Sequence, residues 1–388
     1  MPKSIILKDY IIQVRGVSYK PEDSSLVPKN DYIPILRANN IKNGKINYDE
    51  LVYVKKSKIK ESQILKKGDI LICTSSGSKE LVGKSAMFQD DILCSFGAFC
   101  KVIRANNINN LYLNNYFQSP KYKKDIKRSS TGANINNLKD SDFDNLTINL
   151  VSENEQKDVS NELNKIIELI DLKNNLKDKL KKLIFAQYNY MFNNIYDNQK
   201  NFERKKIADL VEKNVSKLRS TYSEGQIINY VDISSIDREK NIVKGTTKYK
   251  VGEEPSRAQQ CLEVNDILIA TVRPNLKNIA VLTKKYDNPI GTSGFCVLRC
   301  RNCKKNWLLY SILTNEFTNS MNKKTTGASY PAIKNSDILD FEIPVPPIEL
   351  QNKFENFVED VNSISKQLDN SIQKMENLLE IRMNNYFN

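Results

Sequence analysis

The sequence predicts an α/β (α+β) protein written as two copies of one plan, each a pseudo-repeated domain with a curved mixed sheet followed by a long coiled-coil helix. Three observations carry this. TTGASYPAIKNSD at 325–337 repeats the Thr-Gly-Ala, Lys, Ser and Asp of STGANINNLKDSD at 130–142, always 195 residues later. Asp-Ile-Leu-Ile occurs at 69–72 and again at 266–269. Two stretches without Gly or Pro, from about Glu155 to Tyr190 and from about Glu349 to Tyr386, carry apolar residues at spacings of three and four.

Further matches extend the repeat. KKGDILICTSS (66–76) faces EVNDILIATVR (263–273), Phe99-Cys100 faces Phe295-Cys296, Glu155-Gln156 faces Leu350-Gln351, and Met191-Phe192 faces Tyr386-Phe387. Two copies are too few for a solenoid, which needs about three stacked units. The expected organisation is a first domain at 1–151, a first helix at 152–196, a second domain at 197–347 and a second helix at 348–388. Within each domain the short apolar runs DILIC, AFCKVI, DILIA and GFCVLR are bounded by Gly, Asn, Ser and charged residues and read as strands.

On the first helix the apolar stripe is Val159, Leu163, Ile166, Ile170, Leu176, Leu180, Leu183 and Gln187, with a slip near 171–175. On the second it is Phe354, Val358, Val361, Ile364, Leu368, Ile372, Met375, Leu378 and Arg382. Two equally long helices in one chain supply each other's partner; the alternative is that each packs on the core of its own domain. Pro344, Pro346 and Pro347 stiffen the approach to the second helix, because none of them can lie inside it. The matching INLVSENEQ (148–156) lacks those prolines and offers a Ser152/Glu155 capping box. Gly132 and Gly327 are expected to turn the backbone in the repeated segment.

Composition narrows the partner. Fifty-nine Lys+Arg against 46 Asp+Glu leave a net charge of +13, which suits a phosphate-bearing partner: nucleic acid, or an anionic membrane surface. A lysine-rich soluble protein would carry the same charge. Lys8 and Asp9 interrupt the apolar stretch that a signal peptide needs, and no run approaches the roughly 20 apolar residues of a membrane span. Cysteines at 73, 94, 100, 261 and 296 lie in apolar surroundings and suit a reducing compartment, so the expected location is the cytoplasm.

The chain is poor in chemistry. It has no His, which removes Ser-His-Asp, Cys-His and His-bearing metal sites. No glycine spacing fits a dinucleotide loop or a phosphate loop. The only Pro-Pro pair, Pro346-Pro347, lacks the flanking residues with which amino-methyltransferases hold a flipped base. Cys300-Arg-Asn-Cys303 is half a zinc site, and D/E-x-K tails at Asp171–Lys173 and Glu203–Lys205 are expected by chance among so many lysines. The expectation is a non-catalytic protein with no metal and no cofactor of its own. A catalytic DNA-modifying enzyme with an unrecognised site, or a coiled-coil protein adaptor, remain the alternatives.

Candidate DNA-reading residues cluster at loops. SRAQQ (256–260) and ATVRPNLKN (270–278) offer Arg257 and Arg273 for guanine, Asn275 for adenine and Lys277 for phosphate. The matching loop in the first copy, CTSSGSKELVGK (73–84), offers Ser76, Ser78, Lys79 and Lys84. Basic runs before each Thr-Gly-Ala add Lys127 and Arg128 in the first copy, and Lys323 and Lys324 in the second, with Tyr330 and Lys334 beyond. The divergent triplets Asn134-Ile135-Asn136 and Ser329-Tyr330-Pro331 are further places for specificity.

Two variable domains alternating with two long helices, PSRA…ATVRPNLK…TSGFCVLR (255–299), the T-G-A segments and IPVPPIELQ together resemble the specificity (S) subunit of Type I restriction–modification systems, a host-defence family, over essentially the whole chain. The resemblance implies two target recognition domains, each reading one half of a bipartite double-stranded DNA site, and two antiparallel coiled-coil helices as a spacer. It implies assembly with two methyltransferase (M) subunits and with restriction (R) motor–nuclease subunits, S-adenosylmethionine and ATP being used only on those partners for DNA methylation and translocation. A helix of about 38 residues spans about 57 Å, so half-sites near one turn apart, about 10 base pairs, are expected.

Overall fold

The computed structural model describes residues 3–78, 80–129, 137–192, 195–327 and 331–388. Lys79, Gly132, the 134–136 triplet, Ser329 and Tyr330 therefore lie outside the described residues. The chain forms two compact units, residues 1–175 with 369–388, and residues 176–368.

In unit 1, β1 (Lys3–Ile6) pairs antiparallel with the last strand before the long helix. Then follow β2 (Ile11–Arg15), β3 (Ser24–Ser25), β4 (Tyr32–Leu36), β5 (Val52–Lys55), β6 (Ile70–Cys73), β7 (Ser85–Met87), β8 (Ser95–Phe96), β9 (Cys100–Ala105) and β10 (Thr147–Leu150). Strands β2 to β9 form two four-stranded sheets in the orders β8-β4-β5-β3 and β2-β9-β6-β7, with β8 parallel to β4. Helices α1 (Asn110–Gln118), α2 (Pro120–Ser129), α3 (Asp140–Asp144) and α4 (Glu153–Phe192) complete the order.

Unit 2 repeats the plan. Its strands are β11 (Arg204–Lys206), β12 (Ile227–Val231), β13 (Ile236–Asp237), β14 (Ile242–Val243), β15 (Thr247–Lys250), β16 (Ala258–Cys261), β17 (Ile267–Ala270), β18 (Ile279–Val281), β19 (Pro289–Thr292), β20 (Phe295–Leu298) and β21 (Glu342–Pro344). The sheets run β15-β12-β19-β16 and β13-β14-β18-β17-β20, with β19 parallel to β12. Helices α5 (Lys305–Ile312), α6 (Asn315–Lys323), α7 (Asn335–Leu339) and α8 (Ile348–Phe387) follow.

The repeated residues have identifiable physical work. Both Ile-Leu-Ile strands are buried at every position, which is why they read as continuous apolar runs rather than as alternation. The Asp before each is buried and held by an arginine fork from the neighbouring strand. Arg104 Nε and Nη2 reach Asp69 at 2.9 and 3.0 Å, and Arg299 Nε and Nη2 reach Asp266 at 2.9 Å each. The backbone amides of Lys66 and Glu263 donate to the same carboxylates, at 2.8 and 2.7 Å. The repeated Asp142 and Asp337 accept from the amides of Lys139 and Lys334 at the starts of α3 and α7. Gln156 and Gln351, both buried at the start of a long helix, accept from the amides of Asn109 and Lys304 and donate to the carbonyls of Val151 and Pro346. The Ser152/Glu155 box caps α4 as expected, Ser152 N donating to Glu155 Oε2 at 3.0 Å.

α4 and α8 run antiparallel. In unit 1, Arg382 and Tyr386 of α8 meet Glu162 of α4. In unit 2, Phe354 of α8 packs on Tyr188 and Phe192 of α4, with ring centroids 5.5 Å apart in both cases. The helices also enter the cores of the units. Val159, Leu163, Met383 and Phe387 join α1 in one, and Ile184, Tyr188, Phe192, Phe354 and Val358 join Trp307 in the other.

Two expectations are corrected. The stripe departs from its forecast positions at Leu183 and Gln187, where Ile184 and Tyr188 are buried instead, and at Leu378 and Arg382, where Leu379 is partly buried and Met383 buried. Leu176 and Ile364 are exposed. The buried positions advance nearer 3.6 than 3.5 residues per turn, because each helix half follows its own unit's core instead of an unbroken supercoil seam. The pairing of Phe99 with Phe295 is also off by one. β9 sets Cys100 opposite Cys73, and β20 sets Phe295 opposite Ala270, so Phe295 corresponds to Cys100 and Phe99 corresponds to Gly294. A one-residue slip exchanges the faces of a strand, and Phe99 is accordingly exposed while Phe295 is buried.

Removing one member of a buried ion pair strands the other, at a cost of about 3–5 kcal/mol. Asp266→Ala leaves Arg299 only its contacts to the more exposed Glu263 and Glu212 and is expected to lower the stability of unit 2 by up to about that amount, and the double change Asp266→Leu with Arg299→Met by less. Denaturant midpoints of the three proteins check this.

Candidate nucleic-acid interface

In unit 2, β17 ends at Ala270 and the chain turns through Thr271–Lys277. Thr271 donates to the Gly294 carbonyl from its amide at 2.9 Å and from Oγ1 at 3.0 Å. Ile333 N donates to Thr271 O at 2.9 Å, and Arg273 N to Pro331 O at 2.7 Å. The VRPNLK loop is thus laced between the 292–294 turn and the segment after the second Thr-Gly-Ala. Arg273 and Lys277 both take φ of +50°, bracketing the short turn Pro274–Leu276. A left-handed backbone costs a residue with a side chain about 1–2 kcal/mol, so the lacing holds a shape the loop would not keep alone. Arg273 and Asn275 are exposed at its tip.

Lys277 is half-buried, and its Nζ donates to Leu313 O at 3.2 Å and Asn315 Oδ1 at 2.9 Å. It ties the loop to the α5–α6 turn instead of projecting from it. Arg257 is exposed, and its carbonyl accepts from Ser293 N at 2.7 Å, so its loop adjoins the same 292–294 turn. Thr326 and Ala332 exchange backbone bonds of 2.9 and 3.0 Å, and Gly327 takes φ of +91°. Lys323, Lys324 and Lys334 lie close in sequence to that bonded pair and are exposed, Lys324 Nζ donating to Asp337 O. The structure thus gathers Arg257, Arg273, Asn275 and the three lysines around two hydrogen-bonded loops and one turn.

Unit 1 builds the same station with other side chains. Thr74 N, Thr74 Oγ1 and Ser75 N all donate to the Phe99 carbonyl, at 2.9, 3.1 and 3.1 Å. Ser75 bridges Asn137, and Leu138 N donates to Thr74 O at 2.8 Å. Ser76 is half-buried, accepting from Ser78 N, while Ser78 and Lys84 are exposed. α2 lies against this loop, Tyr122 OH donating to Gly83 O at 3.1 Å, and carries exposed Lys127 and Arg128 near its end. Lys139, the counterpart of Lys334, is exposed beside it. Phe99 and Lys139 are further exposed residues of this station that the sequence does not single out. Lys139 stood in the repeat itself, and Phe99 needed the correct strand register to be noticed.

Beside the loop, buried Lys101 lies 4.7 Å from the Phe143 ring centre and donates to Asp140 Oδ1 at 2.5 Å, while Arg15 Nη2 donates to Asp140 Oδ2 at 2.6 Å. These two cations hold the Asp140 carboxyl below its usual 3.8, against some desolvation. No group of His, Cys, Asp and Glu that could hold a metal is found among the described residues, nor is any helix there long and apolar enough to cross a membrane. The Cys303 thiol instead donates to Leu210 O.

The chain matches the Type I restriction modification DNA specificity domain twice, at residues 13–182 and 199–374. It is 29% identical to the Type I restriction enzyme StySPI specificity subunit of Salmonella potsdam, over 95% of this chain and 84% of that protein. It is 28% identical to the EcoKI specificity subunit of Escherichia coli K12, with the same coverage. Among solved structures it is similar in fold to a chain from work on complex assembly and conformational transition of the type I R-M system (TM-score 0.56, 16% identity, 98% of this chain and 96% of that one). It is similar also to the Type I restriction–modification S subunit from M. genitalium (TM-score 0.50, 14% identity, 100% and 96%).

Because the Asp140 carboxyl is depressed in the folded chain, its contribution to stability is complete at neutral pH and lost as pH falls through the folded value, below about 4. Asp140→Asn is expected to unfold at lower denaturant than the parent at pH 7, with the difference shrinking by pH 3. Urea titrations at the two pH values check the sign.

Proposed function

Because the chain belongs to the Type I restriction–modification DNA specificity family, we propose that each of its units reads one half of a bipartite DNA target. The observation that carries this is the station described above. In both units the same scaffold bonds join the loop after the Ile-Leu-Ile strand to the segment before the capping Asp, while the side chains they present differ. A constant frame with exchanged tips is what two readers of different sequences require. In unit 2 the tips are arginines and an asparagine, the residues whose donors match guanine and adenine edges, ringed by lysines suited to phosphate.

In this reading the chain is non-catalytic and binds no cofactor of its own. Methyltransferase subunits supply S-adenosylmethionine chemistry on adenine, restriction subunits supply ATP-driven translocation and cleavage, and α4 with α8 sets the distance between the half-sites and docks the methyltransferase subunits. The assembly works where the DNA is, in the cytoplasm. A net charge of +13 on the chain is consistent with a phosphate-bearing partner.

Two outcomes are expected of the assembled methyltransferase complex. Its affinity for a duplex containing the target falls steeply between 50 and 200 mM salt, by about 1,000-fold or more if six or more phosphates are contacted; binding indifferent to salt would favour the adaptor reading. Inserting one heptad into both α4 and α8 lengthens the non-specific spacer in the methylated motif while leaving both half-sites unchanged. Sequencing of methylated DNA reads this, and an unaltered motif contradicts the spacer role.

A further inference from the structure

Phe99 is a large aromatic side chain left 69% exposed on a backbone that is tied down on every side. Its carbonyl takes three hydrogen bonds from Thr74 and Ser75. The turn that carries it is fixed by Gly97 N to Leu36 O at 2.9 Å, Ala98 N to Val17 O at 3.0 Å and Cys100 N to Gly97 O at 2.9 Å. Gly16 presses against the same turn so closely that a Cβ there would lie 2.1 Å from Gly97 O. A scaffold of this kind holds an exposed side chain at almost no further entropic cost on binding. The counterpart in unit 2 is Gly294, which accepts the matching bonds from Thr271 but presents no side chain. The Thr74–Ser75 segment that holds the Phe99 carbonyl is bonded on to Asn137 and Leu138, and exposed Lys84 and Lys139 belong to the same station.

Resting on the reading of unit 1 as a half-site reader, we propose that Phe99 is a specificity-determining residue that recognises a thymine of the first half-site by apolar contact with its 5-methyl group. The thymine methyl is the one apolar feature of the major-groove edges, and a rigid phenyl ring has no hydrogen bond to offer the others. Exposed lysines of the same station, Lys84 and Lys139, would hold the register on phosphate. The two units then differ in the chemistry of reading: apolar contact at the glycine-to-phenylalanine exchange in one, and Arg273 and Asn275 in the other.

The test uses the complete methyltransferase complex. Methylated motifs are mapped for the parent chain, for Phe99→Ala and for Arg273→Ala. Affinities are then measured for target duplexes in which each thymine of the first half-site is replaced in turn by deoxyuridine, which lacks only the methyl. One such replacement should weaken the parent complex about tenfold. Phe99→Ala should lose about as much on unmodified DNA, ignore that replacement, and relax the motif at that position alone, in the half-site that Arg273→Ala leaves intact. A loss spread evenly over both half-sites, a loss unrelated to any thymine methyl, or a Phe99→Ala complex within twofold of the parent overturns the inference. A parent complex without a bipartite motif fails the half-site reading itself.

Discussion

The paired Asp–Arg forks, Asp69 with Arg104 and Asp266 with Arg299, are the constraint on which the rest of each unit depends. An aspartate buried in this way is tolerated only if its lone pairs are filled, and here they are filled by a guanidinium fork from the neighbouring strand and by a backbone amide three residues back. Sliding β9 along β6, or β20 along β17, by one residue would break the fork and turn every buried side chain to the wrong face. The pair therefore fixes register, and register fixes where each strand ends. The loops that carry Ser76 and Lys84 in one unit, and Arg273 and Asn275 in the other, leave from those ends.

From that point the two units share bonds rather than sequence. Thr74 and Thr271 each clamp a turn carbonyl with an amide and a hydroxyl. Asp142 and Asp337 cap the short helices that follow, and Gln156 and Gln351 join the start of each long helix to the start of α1 or α5. Between these fixed points the tips are free to change, because an exposed loop tip contributes little to the core. Specificity can thus diverge without cost to folding.

Much of this was legible in the sequence. The repeat, the strands, the two long helices and the Ser152/Glu155 box follow from period, composition and capping chemistry, which act over a few residues. What was not legible depends on distant partners. The helical stripe at Leu183 and Leu378 departed from a heptad because Ile184 and Met383 turn toward their own units' cores, which no periodicity count contains. Lys277 reads as a phosphate ligand in the sequence, and only the fold brings its ammonium group to the carbonyl of Leu313, 36 residues away. Phe99 was misaligned by one residue, which hid that it faces outward. In the second copy Thr326 of the repeated segment bonds to Ala332 beside the reading loop, and the repeated Asp caps a helix in both copies.

In the proposed reading this chain alone chooses the DNA sequence at which a larger complex acts. The most direct measurement maps adenine methylation across the host genome with and without the chain. One bipartite motif is expected, methylated throughout in its presence and unmethylated in its absence. A methylation pattern unchanged by its removal would contradict it.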